Sequence, residues 1–242
     1  MPSITLFCFP PAGAGAAFFR PWVGHHPGLR VVPVEFPGRG KRFTEPERTD
    51  LDGLMEVLVP EMLEASAASE RVVVLGHCFG ALVGHRAARA MVRRRSGLDL
   101  MLVVSGAGGP GAADQVAAGE RRVAGLPDDE FVARVEEISG YRHPALADPE
   151  MHPLVLPPLR ADVAMHEAHV FPASRPLRVP VLGVRGSDDD RVSAEDAEAW
   201  RSVTTGPFRL AEIDGGHMYL TDRKEALLRL IADEAHPAPT AC

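Results

Sequence analysis

Cysteine is scarce in this sequence. Only Cys8, Cys78 and Cys242 occur among 242 residues, widely separated from one another. Three scattered thiols exclude a disulfide framework and a structural zinc site. His166 and His169 are spaced i, i+3, which is not the His-Glu-x-x-His arrangement of a zinc enzyme. We therefore expect neither a bound metal nor a cofactor.

Long hydrophobic runs and an excess of positive charge are also missing. No apolar run approaches the roughly 20 residues that a membrane-spanning helix needs, and the first residues lack the charged and apolar segments of a signal peptide. The formal net charge is −7 and the pI is about 5.8, so the chain has no overall basic footprint for nucleic acid. These absences predict a cytoplasmic protein with neither nucleic acid nor membrane as a partner.

What the chain does contain is an alternation of short β-branched apolar runs with helical periodicities. The length and an apolar content of 45% suit one domain with a sizeable core. Strands that alternate with helices predict an α/β fold with a doubly wound, mostly parallel sheet. The expected strands are residues 4–9, 29–36, 72–76, 99–105, 180–185 and 207–213.

Residues 112–175 interrupt this alternation. They contain two helical patterns, near 128–139 and 151–169, with several prolines between them and no evident strand. We expect an all-helical insertion that forms a lid over the sheet. The predicted organisation is therefore a core made of residues 1–111 and 176–242, with residues 112–175 as the lid.

One stretch has the features of a nucleophile elbow. The apolar run at 72–75 ends in Gly76-His77-Cys78-Phe79-Gly80, and a helical pattern follows at once. In such an elbow the nucleophile sits on a strained turn between a strand and a helix, so that its side chain stands clear of the sheet. The two glycines leave room for the strand and the helix to approach closely. Cys78 occupies the position where most such elbows carry serine.

Two further groups follow strand ends: the aspartates at 188–190 and His217. Functional groups collect outside the carboxyl ends of parallel strands, and the order nucleophile, acid, histidine is that of the α/β-hydrolases. We expect His217 to take the proton of Cys78, because the thiolate is the competent nucleophile. A carboxylate from 188–190 would orient the histidine.

The Gly-rich loop at 10–16 lacks the Lys-Ser/Thr of a phosphate-binding P-loop. It fits better as a loop that supplies one backbone N–H to an oxyanion hole. We expect this donor to come from Ala12 or Gly13. The other donor would be the N–H of Phe79, directly after Cys78.

Three cations, Arg39, Lys41 and Arg42, occupy the turn after the second expected strand. They could contact an anionic group at the mouth of a site, such as a phosphopantetheine phosphate or a carrier protein. From the residues alone, an ordinary solvated loop is the better interpretation.

The motifs together give a resemblance that covers nearly the whole chain. The sequence resembles the stand-alone type II thioesterases that serve polyketide synthases and nonribosomal peptide synthetases. That resemblance implies an α/β-hydrolase fold and a substrate held as a thioester on the phosphopantetheine arm of an acyl or peptidyl carrier protein. It also selects Asp189 as the acid. The matching segments are residues 7–15, 37–40, 76–80 and 159–162, the pattern Gly186-x-x-Asp189-x-x-Val192, and Gly216-His217.

The departure from that family is Cys78, because its members usually carry serine there. A cysteine forms a thioester intermediate that stays activated towards attack by a carbon or nitrogen nucleophile. In this respect the chain also resembles a small set of thioesterase-like Dieckmann cyclases, which use a Cys-His-Asp triad to release tetramic acids or pyridones. We expect cyclisation of a β-ketoamide thioester, with hydrolytic editing or release as the alternative. An inactive carrier-binding module is a weaker third hypothesis, because the acid and the histidine are intact.

Overall fold

The computed structural model describes residues 3–111, 122–139, 144–171 and 175–236. Its centre is a sheet of six strands: β1 (Ile4–Phe9), β2 (Leu29–Pro33), β3 (Arg71–His77), β4 (Leu100–Ser105), β5 (Val181–Gly186) and β6 (Phe208–Ile213). Their order in the sheet is β2-β1-β3-β4-β5-β6, and all five strand pairings are parallel. The predicted doubly wound α/β architecture is therefore confirmed.

Helices cover both faces of the sheet. Two hydrophobic clusters result. One packs under the helices Leu51–Ala65 and Phe79–Arg94, and the other packs under the helix Lys224–Ala235 and the short 3₁₀ helix at Ala16–Trp22. No helix in the described ranges combines the length and the apolar character needed to cross a membrane. The α-helices are α1 (Leu51–Ala65), α2 (Phe79–Arg94), α3 (Asp128–Ser139), α4 (His152–Glu167), α5 (Ala194–Glu198) and α6 (Lys224–Ala235).

The second strand is shorter than the sequence predicts, because it ends at Pro33 and not at residue 36. Pro33 pairs with Cys8, one residue before β1 ends. The last hydrogen bond of this ladder runs from the Val34 N–H to the Cys8 carbonyl at 2.9 Å. Since β2 is an edge strand whose one neighbour is β1, the ladder ends within one residue of the end of that neighbour.

The strand order places the site. The chain runs from β1 outward to β2 and then returns past β1 to β3 on its other side. The winding direction therefore reverses between β1 and β3. A crevice opens at such a switch point, outside the carboxyl ends of the strands, and the loop at residues 10–16 and Cys78 both follow those ends.

Two glycines bring the backbones at this switch point into near contact. A Cβ atom on Gly76 would lie 1.9 Å from the carbonyl oxygen of Gly80, and one on Gly80 would lie 2.2 Å from the carbonyl oxygen of Phe9. No side chain fits at such distances. The start of α2 is therefore held directly against the ends of β1 and β3.

Between β4 and β5, the regular elements formed by the described residues are α- and 3₁₀-helices, and none of them is a strand. Residues 112–121, 140–143 and 172–174 of the expected lid lie outside the described ranges. Ala12, in the loop after β1, packs against the insertion, so these helices sit over that loop. The insertion has a hydrophobic cluster of its own, formed by Val123, Phe131, Val132, Leu146, Leu156 and Leu159.

The close approach at Gly80 gives a testable consequence. The change Gly80→Ala should lower the free energy of unfolding by about 3 kcal/mol, because the added methyl group meets backbone atoms that cannot rotate away. Gly125→Ala is the control, since a Cβ there has no heavy atom within 4 Å, and it should change stability by less than about 0.5 kcal/mol. Urea unfolding measures both, and equal midpoints would contradict the packing described.

Candidate active site

Cys78 lies at the junction of β3 and α2, where the chain is strained. Its φ of 53° makes it the one non-glycine residue with a positive φ among those the structure describes. Its N–H donates to the Ser105 carbonyl at 2.9 Å, and its own carbonyl accepts from the Ala81 N–H at 2.9 Å. The half-buried thiol is thus presented by a backbone conformation that the neighbouring strand and the helix enforce, as in a nucleophile elbow.

Among the aspartates at 188–190, Asp189 is the one that contacts His217. Its Oδ2 lies 3.0 Å from the imidazole Nδ1, and its Oδ1 accepts from the N–H groups of Arg191 and Val192 at 2.9 and 3.2 Å. Burial by itself would raise the pKa of this carboxyl, but these hydrogen bonds and the charge of His217 hold it below its usual range. Asp188 and Asp190 are exposed to solvent.

The loop that carries Asp189 is held from two sides. A Cβ atom on Gly186 would lie 2.3 Å from the Gly215 carbonyl, so the loops after β5 and β6 run in near contact. From the sheet side, Arg185 donates to the carbonyls of Asp189 and Val192, each at 3.0 Å. Sequence reasoning missed Arg185. The available signal is an arginine within the otherwise apolar strand β5.

His217 lies between Asp189 and Cys78, with only 8% of its side chain exposed. Burial alone would lower the pKa of the imidazole. Its hydrogen bonds to Asp189 and Cys78, together with the charges of both groups, outweigh this effect and raise the pKa to about 10. His217 is therefore an imidazolium at neutral pH, and it lies against the Cys78 sulfur as a hydrogen-bonding partner.

A buried polar network of Ser105, His77 and Tyr219 lies beside His217. The Ser105 hydroxyl lies 2.9 Å from His77 Nδ1 and 2.7 Å from the Tyr219 hydroxyl. The rings of His77 and His217 have centroids 5.2 Å apart. Burial, with a further contribution from the charge of His217, lowers the pKa of His77 to about 3. His77 is therefore neutral and does not repel the imidazolium beside it. Neither periodicity nor spacing pointed to this network.

The three expected oxyanion donors differ in whether their N–H groups are already hydrogen-bonded within the protein. Phe79 opens α2, where the first N–H groups of a helix have no partner within it. The Gly13 N–H donates to Asp162 Oδ2 at 2.8 Å and is not free for a ligand. The Ala12 N–H has no acceptor in the described part of the chain. Phe79 and Ala12 are therefore the pair that the structure leaves available.

The cationic turn requires a correction at Arg39. Its side chain is only 6% exposed, and two of its nitrogens donate to Asp162 at 2.6 and 2.8 Å. This guanidinium is neutralised inside the protein, so it cannot serve as a carrier contact. Arg42 pairs with Glu45 and Glu61. Lys41 is exposed, with no ion pair to any described residue.

The chain is similar to known proteins over nearly its whole length. The thioesterase domain family matches residues 4–234. The probable cadicidin biosynthesis thioesterase of Streptomyces griseus is 33% identical over 99% of this chain. Thioesterase PikA5 of Streptomyces venezuelae is 33% identical over 96% of it. The chain spans 65% of the length of the first relative and 80% of the second.

Among solved structures, the type II thioesterase BorB from the borrelidin biosynthetic cluster is similar in fold as well as in sequence. It superposes with a TM-score of 0.80 at 30% identity, covering 96% of this chain and 92% of BorB. The α/β-hydrolase fold expected from the resemblance is therefore shown.

Asp189→Asn should slow alkylation of Cys78 by iodoacetamide at pH 7 by at least about tenfold, because a neutral amide supports the imidazolium beside the Cys78 sulfur less well. Asp188→Asn removes a neighbouring exposed charge and serves as the matched control, with an expected rate close to that of the parent chain. Mass spectrometry of the alkylated protein gives both rates. Equal slowing in the two variants would overturn the distinction between these aspartates.

The raised pKa of His217 predicts a specific titration. The imidazole NMR signals of His217 should remain in the imidazolium position from pH 6 to 9 and shift near pH 10. Cys78→Ala should lower this midpoint, since Cys78 is one of the groups that raise it. Because the folded pKa lies above the ordinary value, the associated stability is present below about pH 6.5 and is lost as the pH rises through about 10. A midpoint near the ordinary value in the parent chain would contradict the pairing.

Proposed function

Because the chain belongs to the thioesterase family, among the type II thioesterases of polyketide and nonribosomal peptide pathways, we propose that it releases acyl groups from carrier-bound thioesters by hydrolysis. The observation that carries this proposal is the contact between the strained Cys78, the imidazolium of His217 and the buried Asp189. Together they supply the nucleophile, the acid–base group and the orienting carboxylate that acyl transfer needs.

In the first half-reaction, the Cys78 thiolate attacks the carbonyl carbon of the substrate thioester. The negative charge that develops on the carbonyl oxygen is stabilised by the N–H groups of Phe79 and Ala12. The tetrahedral intermediate collapses with cleavage of the bond to the carrier's thiol. His217 donates its proton to the departing thiolate, which leaves an acyl group on Cys78 and a neutral imidazole.

In the second half-reaction, the neutral His217 takes a proton from a water molecule, and the resulting hydroxide attacks the Cys78 thioester. The same two N–H groups stabilise the oxyanion. Collapse expels the Cys78 thiolate and releases the carboxylic acid, and His217 is again protonated. Asp189 holds the imidazole in one orientation throughout.

The proposed partner is an acyl or peptidyl carrier protein that delivers the substrate on its phosphopantetheine arm, and the proposal requires no other cofactor. The thioesterase names of the relatives support this substrate class. We assign the helical insertion the role of a lid, because it packs on the loop that holds Ala12. A lid in that position would exclude bulk water from the acyl group. Lys41 remains the exposed cation of the turn that could meet an acidic carrier.

Dieckmann cyclisation is the second candidate, and the identity of Cys78 favours it. A β-ketoamide held on Cys78 has an acidic C–H between its two carbonyls, and the neutral His217 could remove that proton. The carbanion would attack the Cys78 thioester and expel the thiolate, closing a tetramic acid or pyridone ring. The relatives named as thioesterases support hydrolysis better. The intact triad weighs against an inactive carrier-binding module.

Incubation with the N-acetylcysteamine thioester of a β-ketoamide separates the two reactions by product mass. Hydrolysis should give an acid heavier by one water than the cyclic product, and a cyclic product alone would overturn the hydrolytic proposal. Cys78→Ala should abolish the acyl-enzyme. Cys8→Ala is the control: Cys8 is fully buried and burial raises the pKa of its thiol, so acylation should persist without it. Acylation that survives in Cys78→Ala would show that the nucleophile is elsewhere.

A further inference from the structure

Asp162 is a fully buried carboxylate that the proposed reaction does not use. It lies on α4 in the insertion, and its side chain has no exposure to solvent. Its two oxygens accept from two nitrogens of Arg39 at 2.6 and 2.8 Å, and Oδ2 also accepts from the Gly13 N–H at 2.8 Å. One side chain therefore joins three segments: α4, the turn around Arg39 and the loop after β1.

We propose that Asp162 is a positioning residue for the oxyanion hole, which fixes the loop at residues 10–16 so that the Ala12 N–H points at the substrate carbonyl. This inference rests on the proposed function, since it concerns the acylation of Cys78. Asp162 itself does not touch the reacting atoms. It acts through the peptide group between Ala12 and Gly13, because its Oδ2 accepts a hydrogen bond from the Gly13 N–H.

The loop is held by α4 at two points. Gly13 has a φ of +75°, and a Cβ atom on it would lie 2.8 Å from Leu159 Cδ1. Leu159 and Asp162 are three residues apart on α4 and therefore project from the same side of the helix. Leu159 restricts the position of the loop by direct contact at Gly13. The Asp162 carboxylate orients the peptide group of Gly13 by a hydrogen bond. With one neighbouring peptide plane fixed, Ala12 has little freedom to rotate its own N–H.

Arg39 makes the charge of Asp162 tolerable in this position. A buried carboxylate is costly unless it is paired in good geometry, and a bidentate guanidinium provides that geometry. Arg39 also donates to the carbonyls of Ala14 and Pro158 at 3.3 and 3.4 Å. It thus contacts the loop and α4 directly, so the ion pair ties both to the same place.

A purely structural ion pair and a positioning residue differ in how they affect two reactions of Cys78. Acylation by the N-acetylcysteamine thioester of hexanoate develops an oxyanion. Alkylation by iodoacetamide is a displacement at a saturated carbon and develops none. In Asp162→Asn the acylation rate should fall by about 10- to 100-fold, whereas the alkylation rate should stay within about twofold of the parent chain because Cys78, His217 and Asp189 are unchanged.

Asp128→Asn is the matched control and should leave both rates unchanged. Asp128 begins α3, and its exposed carboxylate pairs at 2.7 Å with Arg160, which lies on α4 as Asp162 does. If Asp162→Asn does not fold, as judged by circular dichroism, Arg39→Lys replaces it. That variant keeps the charge but loses the bidentate geometry, and it should lower the ratio of acylation to alkylation by about threefold or more. An unchanged ratio in a folded variant overturns the inference. Absence of acylation in the parent chain overturns the proposed function, and the inference with it.

Discussion

Backbone contact without intervening side chains is the constraint on which the site depends. At Gly76 and Gly80, the end of β3 and the start of α2 meet the end of β1 at distances that a Cβ atom would prevent. Gly186 permits the same approach between the loops after β5 and β6. The first contact brings the Ala12 loop to Cys78, and the second brings Asp189 to His217. The residues of the site follow the ends of four strands, β1, β3, β5 and β6. They come together because the backbones of these segments are in near contact, and no long side chain is needed to span the space between them.

Electrostatics then decides what the converged groups can do. His217 lies between its hydrogen-bonding partners Asp189 and Cys78, and it retains its proton at neutral pH despite being buried. The neighbouring His77 is kept neutral by burial, so the site contains one imidazolium and not two. Arg185 and two backbone N–H groups fix the Asp189 loop. The arrangement is therefore prepared before any substrate arrives, as electrostatic catalysis requires.

The sequence predicted those features that local chemistry determines. Apolar β-branched runs identified the strands, and the glycines around Cys78 identified the elbow. The sequence could not reveal the role of Arg39, because a cation in a Gly-rich turn looks solvated until its partner is known. That partner, Asp162, is 123 positions away in the chain. The sequence also does not separate hydrolysis from cyclisation, since both proposed reactions pass through the same acyl-enzyme on Cys78.

The location of His217 against the sulfur of Cys78 has a consequence for the order of events. While the sulfur is a thiolate, it helps to hold the proton on the imidazole. Once the sulfur carries an acyl group it has no charge, and that contribution disappears. In the proposed reaction, the affinity of His217 for a proton would then fall, and the histidine would change from a proton donor into a proton acceptor. Acylation of Cys78 would thus create the base that activates water for hydrolysis, and before acylation this base would not be available.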